Sequence, residues 1–124
     1  MNWQHIERQI SFHDLESCFQ FRTVDIGVEL SFVNWQERVV RIVFQNVSHF
    51  VCSPLGGLSP LDQCPGEGMF IIESSPLIPK LRECHVLGRA EPATHYMLVT
   101  NSSHVEWCEV VAEAYTVAME DRDG

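Results

Sequence analysis

The chain has 124 residues and a formal net charge of −9, from 17 acidic and 8 basic side chains. That length fits one domain spanning 1–124, and 45% hydrophobic residues suffice for a core without metal or disulfide staples. The cations are seven arginines and Lys80, scattered along the chain. This argues against nucleic acid and against an anionic membrane surface, because both call for a basic stripe that neutralises phosphates.

The first ten residues, MNWQHIERQI, carry polar groups throughout and lack the apolar core of a signal peptide. No run approaches the roughly 18 apolar residues of a membrane span, so a cytoplasmic location is expected. Trp3, Ile6 and Ile10 are spaced to share a helix face, which predicts a short N-terminal helix or an irregular cap over one end of the core.

Phe12 to Cys52 reads as an antiparallel meander. From Leu15 to Arg22 the pair Phe19 and Phe21 alternates with Cys18, Gln20 and Arg22, which turns the aromatics inward. From Asp25 to Val33 the alternation is cleanest, with Ile26, Val28, Leu30 and Phe32 on one face. Asn34–Glu37 predicts a hairpin connection. The following strand carries Val40, Ile42 and Phe44 against Val39, Arg41 and Val43. Both of its faces are partly apolar, so a central position is expected. Gln45–Asn46 then turns into Val47–Cys52.

Ser53 to Gly68 is dense in proline and glycine and predicts a long loop. Met69–Ile72 reads as a short strand, Pro76–Cys84 as a helical turn, and His85–Leu87 as a further short strand. Thr94–Thr100 alternates again, and Asn101–Ser103 reads as a tight turn. His104 to Met119 fits either an amphipathic helix or one long or broken strand; its Val, Trp, Tyr and Thr content favours strand. The expected fold is therefore mainly β, with α+β as the variant. Its core is an antiparallel meander sheet, curved or barrel-like, with the N-terminal helix or cap and one helical turn near 76–84.

Chemistry-bearing residues are few. His13 and Asp14 adjoin at a predicted strand end, where both side chains can approach one ligand or ion. The further His and Asp at helical positions of a metal hydrolase are missing, so a structural turn competes with that reading. The five cysteines are odd in number, widely spaced and mostly in apolar segments, which suits reduced core thiols. No close cysteine pair, Gly-x-Ser-x-Gly elbow or phosphate loop is present, so no metal, cofactor or catalytic residue is assigned. Trp35, in a hairpin turn, and Trp107, among Glu106, Glu109 and Glu113, are candidate anchors for a partner, since tryptophan is enriched at binding hot spots. Each competes with simple packing against the sheet. From His104 to Gly124 six acidic residues face Arg122 alone, a surface suited to a basic partner protein or to solvent.

The stretch FHDLESCFQFRTVDIGVELSFVNWQERVVRIVFQNVSHF resembles small bacterial β-rich domains. They share a His-Asp opening (here His13-Asp14), a strand, an alternating second strand, and an apolar strand ending in Phe-x-x-Val (here Phe44 to Val47). The segment HYMLVTNSSHVEWCEVVAE is similar to their closing hairpin. Some of these domains look like the immunity proteins of polymorphic-toxin systems. The resemblance covers about half the chain and carries over no catalytic residue. It implies a non-enzymatic protein-binding module, an immunity-type inhibitor of a toxin. The alternatives are a metal- or small-ligand-binding, enzyme-like domain using His13 and Asp14, and a homo-oligomeric structural domain.

Overall fold

Strand alternation is realised twice, in two antiparallel sheets that face each other across one core. The computed structural model describes residues 2–12, 19–54, 66–88, 90–100 and 106–121. In chain order the elements are β1 (Asn2–Ile6), β2 (Gln20–Val24), β3 (Gly27–Val33), β4 (Arg38–Gln45), β5 (His49–Pro54), β6 (Gly68–Glu73), α1 (Leu77–Glu83), β7 (Thr94–Val99), β8 (Glu106–Ala112) and β9 (Ala114–Asp121). One sheet has five strands in the order β1-β6-β7-β8-β5, the other four in the order β2-β3-β4-β9. The fold is mainly β, as expected. The strands form two open sheets and close no barrel among the described residues.

The four-stranded sheet follows the predicted alternation. Leu30, Phe32, Val40, Ile42 and Phe44 are buried on its inner face. Period two places Glu29, Ser31, Arg41 and Val43 on the other face. The strand predicted from Leu15 is described only from Gln20, and residues 13–18 lie outside the described residues. Two residues depart from the expected burial: Ile26 sits in the β2–β3 turn, 54% exposed, and Phe21, expected inward, is 39% exposed on the edge strand β2. Gly27 pairs with Gln45 at a close backbone approach, where an added Cβ would stand 1.8 Å from the Phe44 carbonyl oxygen.

The meander ends at β4. Its next neighbour is β9, while β5 crosses to the other sheet and pairs with β8. β9 and β8 make the same crossing at Glu113. The two crossings lie side by side: Glu113 N–H donates to Gln45 O at 2.9 Å and Ser48 N–H donates to Val111 O at 2.8 Å. Asn46 turns the corner at φ 52, and its side-chain amide donates to Glu113. A paired ribbon thus bends from one sheet into the other, and that bend closes one edge of the core.

Two further expectations are corrected. The N-terminal segment is a strand, not a helix or cap. Asn2–Ile6 pairs with β6, Trp3 opposite Ile72 and His5 opposite Phe70. The ladder overrides a local helical spacing that only three apolar residues support. His85–Leu87 is no strand: it forms the turn after α1, with His85 at φ 61 and both Val86 N–H and Leu87 N–H donating to Leu81 O. The helical turn near 76–84 is α1 itself.

The inner faces share one cluster, in which Phe44 of one sheet meets Tyr96 of the other at a ring-centroid distance of 5.4 Å. On its outer face the five-stranded sheet carries a second apolar cluster of Trp3, Phe70, Ile72, Met97, Val99 and Trp107. Beside it α1 lays Leu77, Ile78 and Leu81 near Val111.

Candidate functional site

Of the residues singled out in the sequence, Trp35 and Glu109 fall at separate places in the described fold. His13 and Asp14 lie outside the described residues. Glu106 opens β8 opposite Pro54. Trp107 is 8% exposed, packed in the outer cluster of the five-stranded sheet, so it presents no free indole to a partner. Trp35 and Glu109 are placed where they can act, at two separate sites.

Trp35 occupies the β3–β4 hairpin, which Asn34 builds. The Asn34 carboxamide oxygen accepts from Gln36 N–H at 3.0 Å and Arg38 N–H at 3.1 Å, satisfying the turn without help from the tryptophan. The Trp35 indole is 54% exposed, and its Nε1–H donates to Ser11 Oγ at 2.9 Å. The ring is therefore oriented while much of its surface stays in water. It borders an open groove of about 310 Å³ lined also by His5, Arg8, Gln9, Phe12 and Glu67. An apolar ring held in position at a groove rim loses little rotational freedom on contact, which favours binding.

Glu109 lies on the outer face of the five-stranded sheet at the centre of a polar chain. Register brings the chain together: His95 of β7 and His49 of β5 both pair with Val111 of β8, and Glu109 stands two residues before it on the same face. Glu109 Oε1 is 2.9 Å from His49 Nε2, and Oε2 is 3.4 Å from His95 Nε2. His95 is 5% exposed, and its Nδ1 is 2.6 Å from Ser75 Oγ. Ser75 Oγ also accepts from Leu77 N–H at 3.1 Å. His95 Nδ1 and Ser75 Oγ share one hydrogen bond, whereas His95 Nε2, buried and 3.4 Å from Glu109 Oε2, makes no hydrogen bond among the described residues. The Glu109 carboxyl is held below its ordinary value chiefly by His95; burial opposes this, and His49 adds to it.

The sequence missed this chain because its members stand far apart along it. Two signals pointed to it: a histidine in the otherwise apolar strand HYMLV, and a glutamate in WCEVVA. Buried polar groups in such strands need partners.

Among the described residues no group of three or more His, Cys, Asp or Glu is arranged to hold a metal ion. No helix among them is long and apolar enough to cross a membrane. Comparison with family models, curated proteins and solved structures returns no match for the chain.

Proposed function

We propose that this chain is a protein-binding module that docks a basic partner through the Trp35 groove, in the manner of an immunity-type inhibitor of a toxin. One observation carries the reading: a tryptophan that its turn does not require is oriented by Ser11 at a groove rim and left 54% exposed. The net charge of −9 favours a cationic partner and speeds encounter. The resemblance to small bacterial immunity-like domains agrees with it.

The test is affinity capture with the wild-type chain and with Trp35→Ala, followed by reconstitution from purified components. A partner bound by wild type, weakened at least tenfold by Trp35→Ala and weakened by added salt, supports the reading. Equal binding by both chains removes the groove from it.

Self-association is a second reading, favoured by β2. Among the described residues β3 is that strand's one sheet neighbour, and Gln20, Phe21, Arg22 and Thr23 are exposed, so this edge of the described sheet offers backbone groups to a second copy. Light scattering that gives a monomer mass at micromolar concentration removes it.

A further inference from the structure

Ser75, His95 and Glu109 have the order and spacing of a nucleophile, its base and the carboxylate that orients the base. We propose that Ser75 is an acylable nucleophile and that the groove above it takes small carboxylic esters. This site shares no lining residue with the Trp35 groove and is independent of docking there.

Three observations converge. First, Ser75 Oγ and His95 Nδ1 are 2.6 Å apart, within proton-transfer reach, and Glu109 Oε2 lies 3.4 Å from the opposite ring nitrogen. The imidazole uses Nδ1 toward serine and Nε2 toward the acid, an exchange that leaves the chemistry unchanged. Second, Glu109 is fixed on its far side by His49 at 2.9 Å through Oε1, which leaves Oε2 turned toward His95 as a positioning carboxylate. Third, Ser75 and His95 both line an open groove of about 380 Å³ whose walls include Ile72, Ile78, Ala93 and Arg82. Those apolar walls fit a short acyl chain. Ser75 follows Ser74, which stands at φ 55 in a sharp strand-to-helix turn between β6 and α1. The Leu77 N–H that donates to Ser75 Oγ fixes the orientation of the hydroxyl.

The step balances without an added reagent. Ser75 Oγ bonds to the ester carbonyl carbon while its proton passes to His95 Nδ1. The carbon–oxygen bond to the alcohol breaks, and the leaving alkoxide takes the proton from His95. Water then attacks the acyl-serine with His95 as base, releasing the carboxylic acid and restoring the hydroxyl.

The experiment uses the full chain with two probes: an alkyl fluorophosphonate, read by intact mass and peptide mapping, and 4-nitrophenyl acetate, read as released nitrophenolate. In the first, the Ser75 oxygen–phosphorus bond forms, fluoride leaves and the proton goes to His95. The expected result is one adduct per chain on Ser75, and a nitrophenolate burst of one per chain above the buffer rate. His95→Gln, which keeps a hydrogen-bond acceptor for Ser75 but cannot serve as base, slows labelling at least a hundredfold with circular dichroism unchanged. Glu109→Gln slows it about tenfold and moves the pH profile. A folded wild-type chain that takes no adduct, an adduct on Ser74 or elsewhere, labelling without the ester burst, or a rate untouched by His95→Gln overturns the proposal. In each of those cases Ser75 is a turn-capping hydroxyl only.

Discussion

The outer faces of the two sheets invite comparison, because the same strand pattern meets two different environments. On the four-stranded sheet the outer face holds a ladder of charges. Glu29 lies 3.0 Å from Arg22 and 3.8 Å from Arg41, and Arg41 in turn pairs with Glu120. The arginine side chains are 69% and 41% exposed, so water screens them and losing a partner leaves them hydrated. On the five-stranded sheet the outer face is largely covered, with Val51 on β5 39% exposed, and its polar residues form a half-buried to buried chain. Each face couples a carboxylate to two cationic or basic partners, but only on the first are those partners well hydrated. The two carboxylates are both largely buried, and the difference lies in their partners: hydrated arginines for Glu29, histidines 24% and 6% exposed for Glu109.

The largest expected effect falls on the core both sheets share. Phe44 is fully buried and meets Tyr96 at 5.4 Å and Tyr115 at 6.4 Å. Phe44→Ala should cost about 4 kcal/mol in chemical denaturation. A cost under about 1 kcal/mol would mean that the two sheets do not pack as one core.

Next comes Glu109→Gln, expected to cost about 2 kcal/mol at neutral pH, because it weakens the partners of two histidines. Its pH dependence is more telling. The carboxyl is depressed in the folded state, so its stabilisation is complete above its ordinary value of 4.5 and is lost as pH falls from there through the lower folded value. Glu109→Gln should flatten the acid limb of a stability–pH curve in that window. An unchanged limb would break the contrast between the faces.

Glu29→Gln should cost about 1 kcal/mol, only partly relieved by high salt, because the carboxylate is 10% exposed while its arginine partners are hydrated. A cost equal to that of Glu109→Gln would show that the two outer faces behave alike. Trp35→Ala should be smallest, within about 0.5 kcal/mol of wild type, because half of the ring already faces water.

Much of the four-stranded sheet was legible in the sequence. Leu30, Phe32, Val40, Ile42 and Phe44 alternate cleanly, and Asn34 announces the hairpin. The connectivity was harder to see. Val47–Cys52 looks like the next strand of a meander, and only Asn46 in the left-handed region, matched across the ribbon by Glu113, sends it to the other sheet. The N-terminal strand was hidden because Trp3 and His5 alternate with Gln4 and Ile6 too briefly to outweigh a helical spacing. The broken-strand reading of the C-terminal segment carried both β8 and β9, without the change of sheet between them. Trp35 stood out locally because a turn rarely requires a tryptophan. Glu109 stood out for the wrong neighbours: its charge was grouped with Trp107 and Glu106 along the chain, whereas pairing places it between His49 and His95. Register across three strands makes that site, and no local pattern encodes it.

The central claim is that Trp35 docks a partner while the fold stands without it. The direct measurement is the dissociation constant of one reconstituted partner complex for the wild-type chain and for Trp35→Ala, with the melting temperature of each chain recorded alongside. The account predicts affinity lowered at least tenfold, about 1.4 kcal/mol, at an unchanged melting temperature. Equal affinities, or a loss matched by a lowered melting temperature, would contradict it.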